Sequence, residues 1–100
     1  MRIIDNLKRG HEILKENNIS SYKIDCEILM SQTLNISREK VLLNLEKNIK
    51  KEEKEKYFNL VNRRKKNEPV AYIINNKNLK RVYQLLILQS SQMINLFQHI

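Results

Sequence analysis

The sequence holds one glycine, one proline, one cysteine and no tryptophan. Each scarcity excludes something. With a single Gly, no glycine-rich loop can cradle a phosphate or a dinucleotide. With so little Gly and Pro, a turn-rich β architecture is disfavoured and helices are favoured. Cys26 has no second cysteine to pair with, so no internal disulfide forms and a reducing compartment is the default. His11 and His99 have no Cys or carboxylate company at metal-ligand spacing, so neither is expected to bind metal. Cys26 sits between Asp25 and Glu27, which disfavour a thiolate, and reads as a small packing residue. No catalytic constellation is present. Long apolar runs are also missing. The longest charge-free stretch, in "VYQLLILQSSQMINLFQHI", is interrupted by Gln, Ser and Asn, so no membrane span is expected. The N-terminus "MRIID" lacks the sustained apolar segment of an export signal, and the expected location is cytoplasmic.

What is present is Leu, Ile, Lys, Glu and Asn, with a net charge of +8 that is unevenly placed. Residues 1–37 are neutral, with five cations against five carboxylates. Residues 38–66 carry eleven cations against five carboxylates, and residues 67–100 carry three against one. A basic middle section could meet phosphate or an acidic partner, but the preferred reading is the solvated face of a lysine-rich helix.

Helical periodicity runs through most of the chain. Ile3, Ile4, Leu7, His11 and Leu14 place a first helix over residues 2–16, stopped by Asn17-Asn18. Gly10 inside it costs roughly 1 kcal/mol against Ala, a cost that close approach of a neighbouring helix would explain. His11 reads as a histidine at the edge of the core. Ser20-Ser21 cap a second helix to Leu34, with Ile24, Ile28, Leu29 and Leu34 inward. Ser37 caps a short third helix carrying Val41, Leu42 and Leu45. A fourth, Lys51 to Lys65, places Tyr57, Phe58, Leu60 and Val61 on its apolar side and pairs Glu52 with Lys56.

The stretch "RRKKNEPVAYI" then changes character abruptly, from four cations to an apolar run. The cations suit the solvated last turn of the fourth helix, where positive charge complements the helix dipole. Pro69 at a first helical position starts a short buried helix. Beyond Asn75 the spacing loosens. "SQTLNISREKV" also fits a helix-turn-helix, with Arg38 and Lys40 on the reading helix, although Asn44 stands where that motif wants an apolar residue.

Several short motifs in register point further: Asn18-Ile19-Ser20-Ser21, Asp25-Cys26-Glu27-Ile28-Leu29, Leu34-Asn35-Ile36-Ser37-Arg38, and Arg63-Arg64 through Glu68-Pro69-Val70-Ala71-Tyr72-Ile73. Across residues 4–74 this order resembles the N-terminal domain of the release-factor glutamine methyltransferases, the HemK/PrmC family. The resemblance implies an all-α fold, a small orthogonal bundle of about four to five short helices that precedes a Rossmann-like catalytic domain. Members methylate the glutamine of the Gly-Gly-Gln motif in class I peptide chain release factors, with S-adenosylmethionine as donor. The helical domain helps dock the release factor.

After Ile74 the chain departs from that pattern. Asn75 stands where the family has glycine, and Lys77-Asn78-Leu79 lacks its aromatic. The "IPRPeTE" segment and the Asn-Pro-Pro-Tyr motif do not occur, since Pro69 is the one proline. The expectation is a domain over 1–74 followed by a divergent tail over 75–100, irregular or helical, through a shifted or early-ended reading frame. On this reading the chain is no enzyme and holds no cofactor. Its function is release-factor docking, with a small basic nucleic-acid-binding regulator as the alternative. Arg63, Arg64, Lys65 and Lys66 are the candidate partner-binding residues, and Glu68, Pro69 and Tyr72 the hinge. Arg64 has a competing structural role, pairing with Asp25, which a separation beyond about 6 Å would exclude.

Overall fold

In the computed structural model, residues 1–74 are described, and they form five helices: α1 (Ile3–Glu16), α2 (Tyr22–Leu34), α3 (Arg38–Leu43), α4 (Lys51–Lys65) and α5 (Val70–Ile73). No strand occurs among the described residues. The expectation for the tail lies outside them. Helices α1, α2 and α4 pack pairwise on one another, α3 leans on α2, and α5 returns to α4. The core runs through Leu7, Leu14, Ile28, Leu29, Val41, Tyr57 and Val61. These are the apolar positions of each helical stripe, which is why the amphipathic pattern forms one bundle. Ile24, Leu34, Phe58 and Leu60 are half-buried against that core.

The three long helices end in the same way. Asn18, Asn35 and Asn67 adopt left-handed backbone, with φ of 63°, 56° and 69°. After each of them a backbone N–H reaches back to a carbonyl five residues earlier: Ile19 to Leu14, Ile36 to Ser31 and Glu68 to Arg63. This is the Schellman stop, a position usually given to glycine. The chain's one glycine is committed elsewhere, and asparagine, which tolerates this conformation, takes its place.

Gly10 is buried where α1 crosses the other two long helices. A Cβ there would collide with the Tyr57 hydroxyl and stand 2.9 Å from Cys26 Sγ. The glycine is thus what lets α1 approach α2 and α4, as its cost within a helix implied. Burial pushes the Cys26 thiol up to about 12, and the Tyr57 phenol is raised for the same reason. Both are inert packing groups. Half-buried His11 sets its ring 5.7 Å from Tyr22 in an edge-on contact, and burial lowers its pKa.

The region after α3 differs from the periodic reading. Helix α3 ends at Leu43, where the Asn44 side-chain amide donates to the Lys40 carbonyl at 2.6 Å. Leu45 therefore lies beyond the helix expected to carry it. The connection is pinned by the N-terminus instead. Ile3 and Ile4 N–H groups donate to the carbonyls of Lys47 and Leu45, each at 2.9 Å, and Ile49 N–H donates to the Met1 carbonyl at 3.1 Å. Two of the first amides of α1, which have no partner within their own helix, are satisfied this way. The Glu52–Lys56 pair does not form. Glu53 instead accepts from the Lys50 N–H at 2.8 Å and closes the start of α4.

Candidate functional site at the exit from the bundle

Helix α4 delivers Arg63, Arg64, Lys65 and Lys66 into its last turn and C-cap. Their fates diverge. Arg64 turns inward, and its Nε donates to Asp25 Oδ2 at 2.8 Å, with its side chain 16% exposed and that of Asp25 fully buried. The same Asp25 oxygen accepts from Ser21 Oγ at 2.9 Å, while Oδ1 is buried without a partner. Arg64 Nη1 also donates to the Glu68 carbonyl at 3.2 Å. One guanidinium thereby joins α2, α4 and the segment leaving the bundle. The structural pairing weighed for Arg64 is present, well inside the distance that would have excluded it.

Arg63 turns the other way. Its Nε and Nη2 grip both oxygens of Glu68, at 2.8 and 2.6 Å, in a forked pair on the surface. The Arg63 guanidinium holds the Glu68 carboxyl below its usual range. Lys65 and Lys66 are exposed and meet no carboxylate among the described residues.

Pro69 follows with φ −60° and ψ 140°, extended backbone just before the helix. It therefore caps α5 rather than opening it, and its carbonyl accepts from the Tyr72 N–H at 2.9 Å. Val70, Ile73 and Ile74 are buried, while Tyr72 is 73% exposed. The abrupt change within "RRKKNEPVAYI" is thus the passage from a solvated helix end, through the Asn67 stop, to a short apolar turn packed on the bundle.

A second inter-helix ion pair went unread in the sequence. Arg38 Nε donates to Glu27 Oε1 at 2.6 Å, tying α3 to α2. Its signal was present, because both residues lie in the motifs quoted above. It also bears on the helix-turn-helix. The turn at Asn35 exists, but its reading helix has six residues and one of its two cations is turned to Glu27.

A family model described as the PrmC N-terminal domain matches residues 5–74. The chain belongs to this family. The PrmC N-terminal match runs from Asp5, within α1, to the last described residue, so it takes in α2 to α5 whole and nearly all of α1. Among curated relatives, a release factor glutamine methyltransferase of Clostridium botulinum is 42% identical over 74 residues, 74% of this chain and 26% of that protein. One of the same name from Leptospira interrogans is 39% identical over 75 residues, 75% of this chain and 26% of that protein. A bifunctional methyltransferase of Rickettsia felis is 35% identical over 68 residues, 68% of this chain and 13% of that protein. The chain therefore spans about a quarter of the length of the first two. No solved structure matches. In this PrmC N-terminal bundle, residues that carried the resemblance make the two ion pairs between helices seen among the described residues: Asp25 with Arg64, and Glu27 with Arg38. Among the described residues no helix is long and apolar enough to cross a membrane.

Proposed function

We propose that residues 1–74 are the release-factor-docking domain of a protein-glutamine methyltransferase, and that residues 75–100 are a divergent segment outside it. The observation that carries this reading is the family match over residues 5–74, together with relatives named for release factor glutamine methylation. On this reading the chain binds a class I peptide chain release factor and performs no chemistry on it. Lys65 and Lys66, free of internal pairs among the described residues, are available to an acidic partner, whereas Arg64 serves the bundle itself. Glu68, Pro69 and Tyr72 form the hinge through which the chain leaves.

The described residues do not fit S-adenosylmethionine, the donor that the resemblance implies. The single glycine is closed into a helix crossing, and no loop remains that could cradle the donor. The deciding experiment titrates the purified chain against a purified class I release factor and against duplex DNA at two salt concentrations, with a labelled-methyl transfer assay alongside. Saturable binding to the release factor, weakened by salt and without methyl transfer, is expected. Absence of binding would sink the reading, and so would transfer of label.

A further inference from the structure

A cleft of about 350 Å³ opens between α3, the 44–50 connection and the first turn of α4. Ile3, Leu34, Ile36 and Ile49 line it with aliphatic surface, and Lys40, Lys47 and Lys50 stand exposed on its walls. None of the three lysines meets a carboxylate among the described residues. The one carboxylate in the lining, Glu53, is turned to the Lys50 N–H. Leu43 lies three residues after Lys40 on α3, hence on the same side of that helix, and is 82% exposed. A larger groove between α1 and α4 makes the contrast. Asp5 and Glu12 stand there among Lys8, Arg9 and Lys54, and Arg9 is bound to Glu12, so its charges largely cancel.

We propose that the lysine-walled cleft is where an acidic segment of the release factor docks, one that places an apolar side chain over Ile36 and Ile49 and carboxylates against Lys40, Lys47 and Lys50. This rests on the docking function proposed above and assigns it a surface. Charge complementarity selects the occupant. An aliphatic floor ringed by unpaired ammonium groups rewards a partner with apolar and anionic groups side by side. A second copy of this chain would bring like charge to like charge. Nucleic acid is disfavoured because the cleft offers neither a guanidinium fork nor an aromatic platform for a base. The volume lies at the low end of the roughly 300–1,000 Å³ typical of ligand pockets, which suits one or two side chains.

The test uses the whole chain and a fluorescently labelled, purified class I release factor, with folding checked by circular dichroism. Lys40→Glu/Lys47→Glu/Lys50→Glu should weaken binding by about tenfold or more and flatten its salt dependence. Leu43→Ser, too exposed to disturb folding, should weaken it by about threefold. Lys15→Glu/Lys23→Glu, at exposed lysines outside the cleft, should change it by less than about twofold. Wild-type affinity in both the triple and the Leu43 variants would overturn the cleft while leaving release-factor docking intact. A wild-type chain that binds no release factor would end the docking reading, and this occupant with it. Equal competition by duplex DNA, or loss of a dimer in the triple variant, would reassign the cleft to nucleic acid or to self-association.

Discussion

Helix α4 is fastened to the bundle at two places, and they are built on opposite principles. Near its middle Tyr57 lies against Gly10 and Cys26, a contact made of shape alone, with a buried hydroxyl that finds no hydrogen-bond partner. At its foot Arg64 reaches a fully buried carboxylate on α2 and the backbone of the exit segment, a contact made of charge. The first tolerates no added atom, because the helices are already at closest approach. The second tolerates changes of shape but not an unbalanced charge, because Asp25 has been taken out of water.

Arg64→Ala should break the comparison most severely. Stranding Asp25 should destabilise the chain by about 3–5 kcal/mol in urea melts, and Asp25→Asn combined with Arg64→Met should recover much of that loss. A double variant no better than the single would show that Arg64 acts through packing. Gly10→Ala comes next. The helix-propensity gain of about 1 kcal/mol is set against an overpacking cost of about 1–3 kcal/mol, for a net loss of up to about 2 kcal/mol. Tyr57→Phe should rescue part of it, and alone should be neutral or slightly stabilising, since it removes an unsatisfied buried hydroxyl. A stabilised Gly10→Ala would mean that the crossing can relax.

Smaller still is the pH response of His11. Its folded pKa lies below the ordinary 6.5, with Glu27 opposing and Lys23 reinforcing the effect of burial. The unfolded chain therefore binds the proton more readily, and stability should fall as pH drops below 6.5. His11→Gln should flatten that slope between neutrality and the carboxylate range, and an unchanged slope would assign it elsewhere. Arg63→Ala should have the least effect. Its pair with Glu68 is surface-exposed, so the urea midpoint should not move, in contrast to its neighbour Arg64.

The same contrast explains what could be read in advance. Helix α4 was bounded correctly from the sequence because its apolar stripe, its start and its cationic end agree. Asn18 was legible as a stop because asparagine followed a periodic run, whereas the same role of Asn35 and Asn67 was not read. The foot of α4 was partly legible, since Asp25 and Arg64 were already suspected partners. The path after α3 was not. Leu45 keeps helical spacing with Val41, yet its carbonyl is claimed by Ile4, a residue that no local pattern connects to it. The division of Arg63 and Arg64 between surface and interior was hidden too. Adjacent positions on a helix face different ways, and only the location of Asp25 decides which one is used.

The clasp between the N-terminus and the 45–49 connection joins segments more than forty residues apart in sequence, with Arg2 and Glu46 in contact beside it. Closing so long a loop has an entropy cost that contacts made elsewhere have to recover. The amides of Ile3, Ile4 and Ile49 would then exchange with deuterium as one cooperative unit, and fraying of the first three residues would unfasten a wall of the lysine cleft from forty positions away.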